Sequence, residues 1–379
     1  MNPVSSGCRR LSTAFRSDRE VRARRTHRSL CAALLLSAVS AAGAQQATEA
    51  TSAAGPSFLA ALDPHLVGDV AAVEGGEVVV RSIPSANRDE VALAGLVRIA
   101  APRAFVFART SNVPGYLAES GHQAFGVLRT PPVLADFARI TLDPSDAEGL
   151  RGCQVSRCSI KLPEQQMGAM ASALAQPRGS GTSITALADS LVRQWLFSLV
   201  DDYWTRGDSA LPVYDDTRRG EQSAAGFRQL LAEDAPIFRD APRFMTHLTE
   251  SPSHAVDGVS STLYWAIDSR PGLKPILSVS QLSTLRGTSV GEPMLIATKQ
   301  LYASHYFDSW LDVEALVDGH SRMPSTDLIL VRRVRFDHLP GRSLFDVRGR
   351  VVRKLRDALR DELVRTRQSM EAAYEGLHS

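Results

Sequence analysis

Cysteine is scarce in this chain, four residues in 379, which excludes the disulfide-dense scaffolds in which crosslinks stand in for a core. Beyond the first fifty residues no apolar run approaches the roughly 20 residues that cross a bilayer, so no spanning helix is expected in the mature protein. The nine histidines include no H-E-x-x-H or comparable spacing, and no Walker or Rossmann glycine pattern occurs, which disfavours zinc and nucleotide enzymes; no metal or cofactor is expected. No internal repeat is present. What remains is ordinary globular composition, 44% hydrophobic and 22% charged, in a chain long enough to bury a real core as one large domain or two.

The formal charge of +2 is misleading, because the basic residues are concentrated at the start. Residues 1–44 carry Arg9, Arg10, Arg16, Arg19, Arg22, Arg24, Arg25 and Arg28 against only Asp18 and Glu20, and lead into the apolar run 30–39. A basic n-region followed by a short h-region reads as a secretory signal peptide, and Ala42-Gly43-Ala44 places cleavage after Ala44. After Arg24-Arg25 comes Thr26-His27-Arg28 in place of the bulky apolar pair of a twin-arginine signal, so Sec export to the periplasm or medium is expected. Taking away eight arginines and two acids leaves 35 basic against 39 acidic residues, a net charge of −4. Such a chain has no general attraction to nucleic acid or anionic lipid.

Two cysteines survive cleavage, Cys153 and Cys158. In an oxidising compartment thiols closing so short a loop are expected to form a disulfide; free thiols and a metal site are the alternatives. A tetrahedral zinc would need two more ligands, and no histidine lies between His122 and His247.

Residues 45–76 read as a flexible lead-in to a single α+β domain over 77–376. Strands are expected at 78–83 and 91–100, then a short helix Arg103–Thr110 opened by Pro102. The stretch 131–250 reads as an insertion: a possible strand at 137–142, the cysteine turn, a short amphipathic piece at 167–174 and a breaker at 177–183. Within it, Ile184, Leu187, Leu191, Trp195, Leu199 and Tyr203 recur at helical spacing up to Gly207, and 224–233 and 236–249 also read as helices, the second interrupted by Pro242. The second half changes period, with β-rich runs at 262–267, Ile276–Leu285, 294–307 and 328–336 as in an antiparallel meander. A last amphipathic helix follows, capped by Ser343, carrying Val351, Leu355, Leu359 and Leu363 on one face and ending near Tyr374.

This order of elements resembles the START-like, or helix-grip, superfamily. The stretch from Gly95 through Pro102 to Phe107 looks like its first strand and helix, and residues 344–374 look like its gripping helix. The resemblance implies a curved antiparallel sheet around the C-terminal helix, with an apolar cavity between them. It implies a hydrophobic or lipid-like small-molecule partner, or, in a minority of members, a cyclase or hydrolase. Leu150, Cys153, Cys158, Lys161 and Leu162, with Lys299-Gln-Leu-Tyr302-Ala-Ser-His305-Tyr306-Phe307, are also similar to signature stretches of a secreted bacterial family that brings no activity with it.

Catalytic patterns are incomplete. Gly287-Thr-Ser289-Val-Gly291 matches G-x-S-x-G, but Pro293 and a β-like run follow where a helix must come, so a turn between strands is expected. Asp201-Asp202 and Asp215-Asp216 read as solvated pairs. On an extended 298–307, strict alternation puts Thr298, Gln300, Tyr302, Ser304 and Tyr306 on one face and Lys299, Leu301, Ala303, His305 and Phe307 on the other. Neither face is uniformly apolar, which suits either a cavity with orienting polar groups or a packed face backed by a solvated one. Arg332 shares an apolar face with Leu330, Val334 and Phe336, so it must meet a structural partner or a ligand anion. Tyr264 and Trp265 add amphipathic side chains on opposite faces. The candidate ligand-binding set is therefore Tyr264, Trp265, Lys299, Tyr302, His305, Tyr306 and Arg332. The leading expectation is an exported binder of an amphipathic small molecule. An enzyme on the same scaffold and an envelope interaction protein are the alternatives.

Overall fold

The computed structural model describes residues 68–176, 183–216, 221–269, 273–287, 294–319, 323–340 and 346–377. In chain order the elements are α1 (Val70–Glu74), β1 (Val79–Ser82), β2 (Glu90–Ile99), α2 (Arg103–Thr110), α3 (Val113–Glu119), β3 (Ala124–Val127), α4 (Pro144–Gly149), α5 (Glu164–Ala175), α6 (Ile184–Arg206), β4 (Val213–Tyr214), β5 (Glu221–Gln222), α7 (Ser223–Glu233), α8 (Pro242–His247), β6 (Val259–Asp268), β7 (Ile276–Leu285), β8 (Met294–Ala303), β9 (Phe307–Asp318), β10 (Thr326–Phe336) and α9 (Val347–Glu375). The signal peptide, most of the lead-in, the breaker at 177–182, residues 288–293 of the glycine–serine stretch and the cap Ser343 lie outside the described residues.

Eight strands form one curved antiparallel sheet in the order β1-β2-β10-β9-β8-β7-β6-β3, so the protein is α+β as expected. β4 and β5 pair separately. β2 and β7 are buried almost throughout, because the sheet is covered on both faces. On one face lie α2, α3 and the 29-residue α9, which at 1.5 Å per residue is about 44 Å long. The other face carries α4–α8, whose Leu196, Tyr203, Phe227 and Phe244, with Phe137 from the chain before α4, share a core with Trp265, Leu301 and Val313. Residues 131–250 thus supply the roof of the second face. Among the described residues no helix is long and apolar enough to cross a membrane.

Local chemistry accounts for the ends of these elements. Pro102, extended at φ −61° and ψ 143°, is the N-cap of α2, one position earlier than expected from the preference of proline for the first helical turn. α6 stops at Gly207, whose φ of 58° suits glycine and where a Cβ would meet the backbone of Glu250 at 2.4 Å. Asp346 caps α9 by accepting from Gly349 N at 3.0 Å. Cys153 and Cys158 are disulfide-bonded, closing the turn after α4. No strand forms at 137–142; Leu134–Phe137 is a 3₁₀ turn, and Phe137 and Ile140 are buried beneath α6 as irregular chain. Of the helix expected at 236–249, only Pro242–His247 is helical.

The run 294–307 is two elements. β8 ends at Ala303, residues 304–306 turn with Tyr306 at φ 69°, and β9 returns. Within β8 the register shifts: Ser280 faces Gln300 but Val279 faces Tyr302, so Leu301 is an extra residue. Such a bulge reverses which face each later residue occupies. Tyr302 therefore joins the α4–α8 side and Ala303 the other, against the strict alternation expected from the sequence.

α9 grips the sheet at Gly95 in β2. Leu359 and Leu363, fully buried, lie over it, and a Cβ at position 95 would sit 2.6 Å from Leu363 Cδ1 and 3.5 Å from Leu359 Cδ2. Burial of side chains of this size contributes about 1.5–3 kcal/mol each. Gly95→Val is expected to wedge the helix off the sheet and lower unfolding stability by about 1–3 kcal/mol in urea titration. An unchanged midpoint would contradict the closeness of this contact.

Candidate functional site

Between α9, α2–α3 and the sheet lies a cavity of about 730 Å³. The alternation of β6 to β10 lines it: Tyr264 and Ala266, Ser278 and Ser280, Thr298 and Gln300, Trp310, Asp312 and Glu314, then Leu328, Leu330 and Arg332. α9 closes it with Leu355, Ala358, Glu362, Leu363, Thr366 and Met370, and α3 with Tyr116. One part of the wall is thus leucine and methionine, the other hydroxyl, amide, aromatic and carboxyl.

At its centre Arg332 is paired twice. Nε and Nη2 donate to Asp312 Oδ1 and Oδ2 at 2.9 and 2.7 Å, and Nη1 and Nη2 donate to Glu362 Oε2 and Oε1 at 2.9 and 3.0 Å. The guanidinium also lies 5.1 Å over the Trp310 ring, whose Nε1 donates to Asp312 Oδ1 at 2.9 Å. Burial opposes the charge on Arg332, but the two carboxylates hold it firmly protonated. Of the alternatives left open for this arginine, its partners are structural.

Glu314, two residues along the same face, has no hydrogen-bond or ion-pair partner among the described residues. Burial, with the nearby Asp312 and Glu362 carboxylates, pushes its carboxyl up to about 8. Tyr264 and Tyr116, near the same carboxylates, are raised by burial and stay protonated. At the rim His122 Nδ1 lies 2.7 Å from Asp268 Oδ1. Glu119 ties α3 to α9 and α2, accepting from Ser369 Oγ at 2.8 Å and Arg109 Nη2 at 2.7 Å.

The seven candidate residues divide. Tyr264 and Arg332 line the cavity. Trp265, Lys299 and Tyr302 lie on the opposite face under α4–α8. Trp265 Nε1 donates to Asp136 O at 3.0 Å. Tyr302 stacks edge-on against Trp195, with ring centroids 5.0 Å apart. Lys299, wholly buried, is paired with Asp208, donates to Leu248 O at 2.7 Å and lies 4.7 Å over the Phe227 ring. Burial lowers the Lys299 ammonium and raises the Asp208 carboxyl. Beside them Tyr203 bonds Gln281, which reaches Ser283 and Ser261, and His247 Nε2 is 2.7 Å from Ser261 Oγ. His305 and Tyr306 form the β8–β9 turn. His305 Nε2 is 2.8 Å from Asp146 Oδ2, and Tyr306 OH accepts from Lys274 N at 3.0 Å. Lys299, Tyr302 and His305 therefore do not meet in one cleft.

Asp312, Glu314, Glu362 and Tyr116 were not singled out from the sequence. The signal was present in β9, where Trp310, Asp312 and Glu314 alternate with Leu311, Val313 and Ala315. Among the described residues no group of three or more His, Cys, Asp or Glu is placed to hold a metal ion. No family model, curated protein or solved structure matches the chain.

The raised Glu314 carboxyl has a consequence for stability. Folded, it keeps its proton to about pH 8; unfolded, it loses it near the ordinary 4.5. Between those values the folded state binds the extra proton, so this group's contribution to stability falls as pH rises from about 4.5 to about 8. Melting temperature followed across that window is expected to decline, and Glu314→Gln to flatten the decline; equal slopes would place Glu314 in an ordinary solvated setting.

Proposed function

We propose that this protein is an exported carrier that holds an amphipathic small molecule, without covalent chemistry, between its sheet and α9 in a START-like manner. The observation that carries the reading is the cavity itself. Its volume of about 730 Å³ falls in the roughly 300–1,000 Å³ range of small-molecule sites, and it combines an apolar wall with a few convergent polar groups. Leu328, Leu330, Leu355, Leu363 and Met370 suit a hydrocarbon body, while Ser280, Thr298, Gln300 and Glu314 suit one polar end. The antiparallel sheet with its long C-terminal helix is compatible with a helix-grip arrangement. The basic leader and the Cys153–Cys158 disulfide support export into an oxidising compartment.

Carriage rather than chemistry is favoured by where the reactive side chains sit. Lys299 is spent on Asp208 and His305 on Asp146, both away from the cavity. Arg332, the cation on the cavity's sheet wall, is committed to two carboxylates.

Filling the cavity from the helix side tests the reading. Ala358→Phe places a ring in the space without removing any hydrogen bond. Fluorescence titration with Nile red, a neutral solvatochromic dye, is expected to show saturable uptake by the native protein and at least about tenfold weaker uptake by the variant, a difference of about 1.4 kcal/mol. Undiminished uptake by a variant of unchanged melting temperature would put the binding elsewhere on the molecule.

A further inference from the structure

The chemistry of the cavity narrows the class of ligand, on the premise that the cavity carries an amphiphile at all. The fixed charges on its inner wall are Asp312, Glu362 and Arg332, with Glu314 also ionisable there, while Arg109, Glu119, His122, Asp268 and Arg365 also line it. Four of the five Arg332 N–H groups donate to the two carboxylates and its plane lies over the Trp310 ring, so it is poorly placed to take an incoming anion. Arg109, at the rim, is engaged by Glu119, and Arg365 is exposed there. A fatty carboxylate or a phosphate would thus enter a site whose interior is already negative by one charge. Glu314 is the opposite case. Its carboxyl has no partner among the described residues, lines the cavity and stands near the aromatic side chains of Tyr116 and Tyr264.

A half-buried carboxyl set among other acids with no protein partner is costly to ionise, and a cation is the partner that offsets the cost. Aromatic faces attract a cation as well. We propose that the amphiphile's polar end is cationic, an ammonium or guanidinium group that docks on Glu314, with its hydrocarbon part along Leu328, Leu330 and Leu363. Docking converts a neutral carboxyl into a carboxylate paired with the ligand, and the proton leaves to solvent. The charged or titratable groups facing Glu314 are Asp312 on β9, Glu362 on α9, Arg332 on β10, Tyr116 on α3 and Tyr264 on β6. None of these supplies a second cation that could take the ligand's place, because Arg332 is held by the other two acids.

The test uses the purified protein and three single-chain probes of equal length, each below its micelle concentration at pH 7: dodecylammonium, dodecanol and dodecanoate. Calorimetric titration is expected to rank dodecylammonium at least about tenfold tighter than dodecanol, with dodecanoate weakest. Glu314→Gln is expected to bring the ammonium-to-alcohol ratio close to one, and the native protein to release protons on binding the ammonium. Comparable affinities for all three probes, or a preference for dodecanoate, would overturn the cationic assignment while leaving the carrier reading intact. Binding of none of them would overturn both. An ammonium preference that persists in Ala358→Phe would mark adsorption to the acidic surface and overturn the assignment, whether or not Glu314→Gln folds.

Discussion

Arg332 joins the sheet to the C-terminal helix, and the space around it exists because of that link. A guanidinium on an otherwise apolar strand face must be compensated, and an acid from β9 and one from α9 do so together. Three long polar side chains then occupy the middle of an interface that would otherwise close by interdigitation of leucines. Leu359 and Leu363 pack tightly at Gly95, near one edge of the sheet, and toward β6–β9 the helix and sheet are separated by the cavity. Removing Arg332 leaves Asp312 and Glu362 charged and unpaired, whereas removing either acid leaves Arg332 paired with the other; uncompensated charge in a buried ion pair costs about 3–5 kcal/mol.

The second constraint is that the sheet has no solvent face to spare. With α9 on one side and α4–α8 on the other, most polar residues of the central strands are buried or half-buried. Behind the sheet, Lys299, Asp208, Tyr203, Gln281, Ser283, Ser261 and His247 are joined in a hydrogen-bonded network that ties the roof to the strands, with Asp208 Oδ2 and His247 Nδ1 left buried without a partner. Toward the sheet edge Arg333 does the same with Glu90, Glu233 and Asp234 at 2.6–2.8 Å. In front of the sheet the network is incomplete at Glu314.

Much of the architecture was legible in the residues. Helical spacing located α6 and α9, and the β-branched run Ile276–Leu285 marked β7 to the residue. The site was less legible, for two physical reasons. Alternation assigns faces only while the pleat is unbroken, and the extra residue Leu301 sent Tyr302 to the opposite side from Thr298 and Gln300. Alternating acids and aliphatics in β9 also look like a strand with one wet face, whereas Asp312 and Glu314 face a cavity because α9, nearly fifty residues further along, lies over them. Nothing local to 307–318 announces that cover. Lys299 illustrates the same point in reverse: a lysine in a strand reads as a ligand contact until Asp208, brought in by the insertion, is seen to hold it.

The most direct test of the account is native mass spectrometry of the protein recovered from a bacterial periplasm, followed by organic extraction of the same sample. The account requires a reproducible mass above that of the polypeptide which dissociates with collisional energy and partitions into organic solvent as an amphiphile. A bare polypeptide mass that stays bare after incubation with neutral and cationic single-chain amphiphiles would contradict the claim that the space between sheet and helix is a binding site.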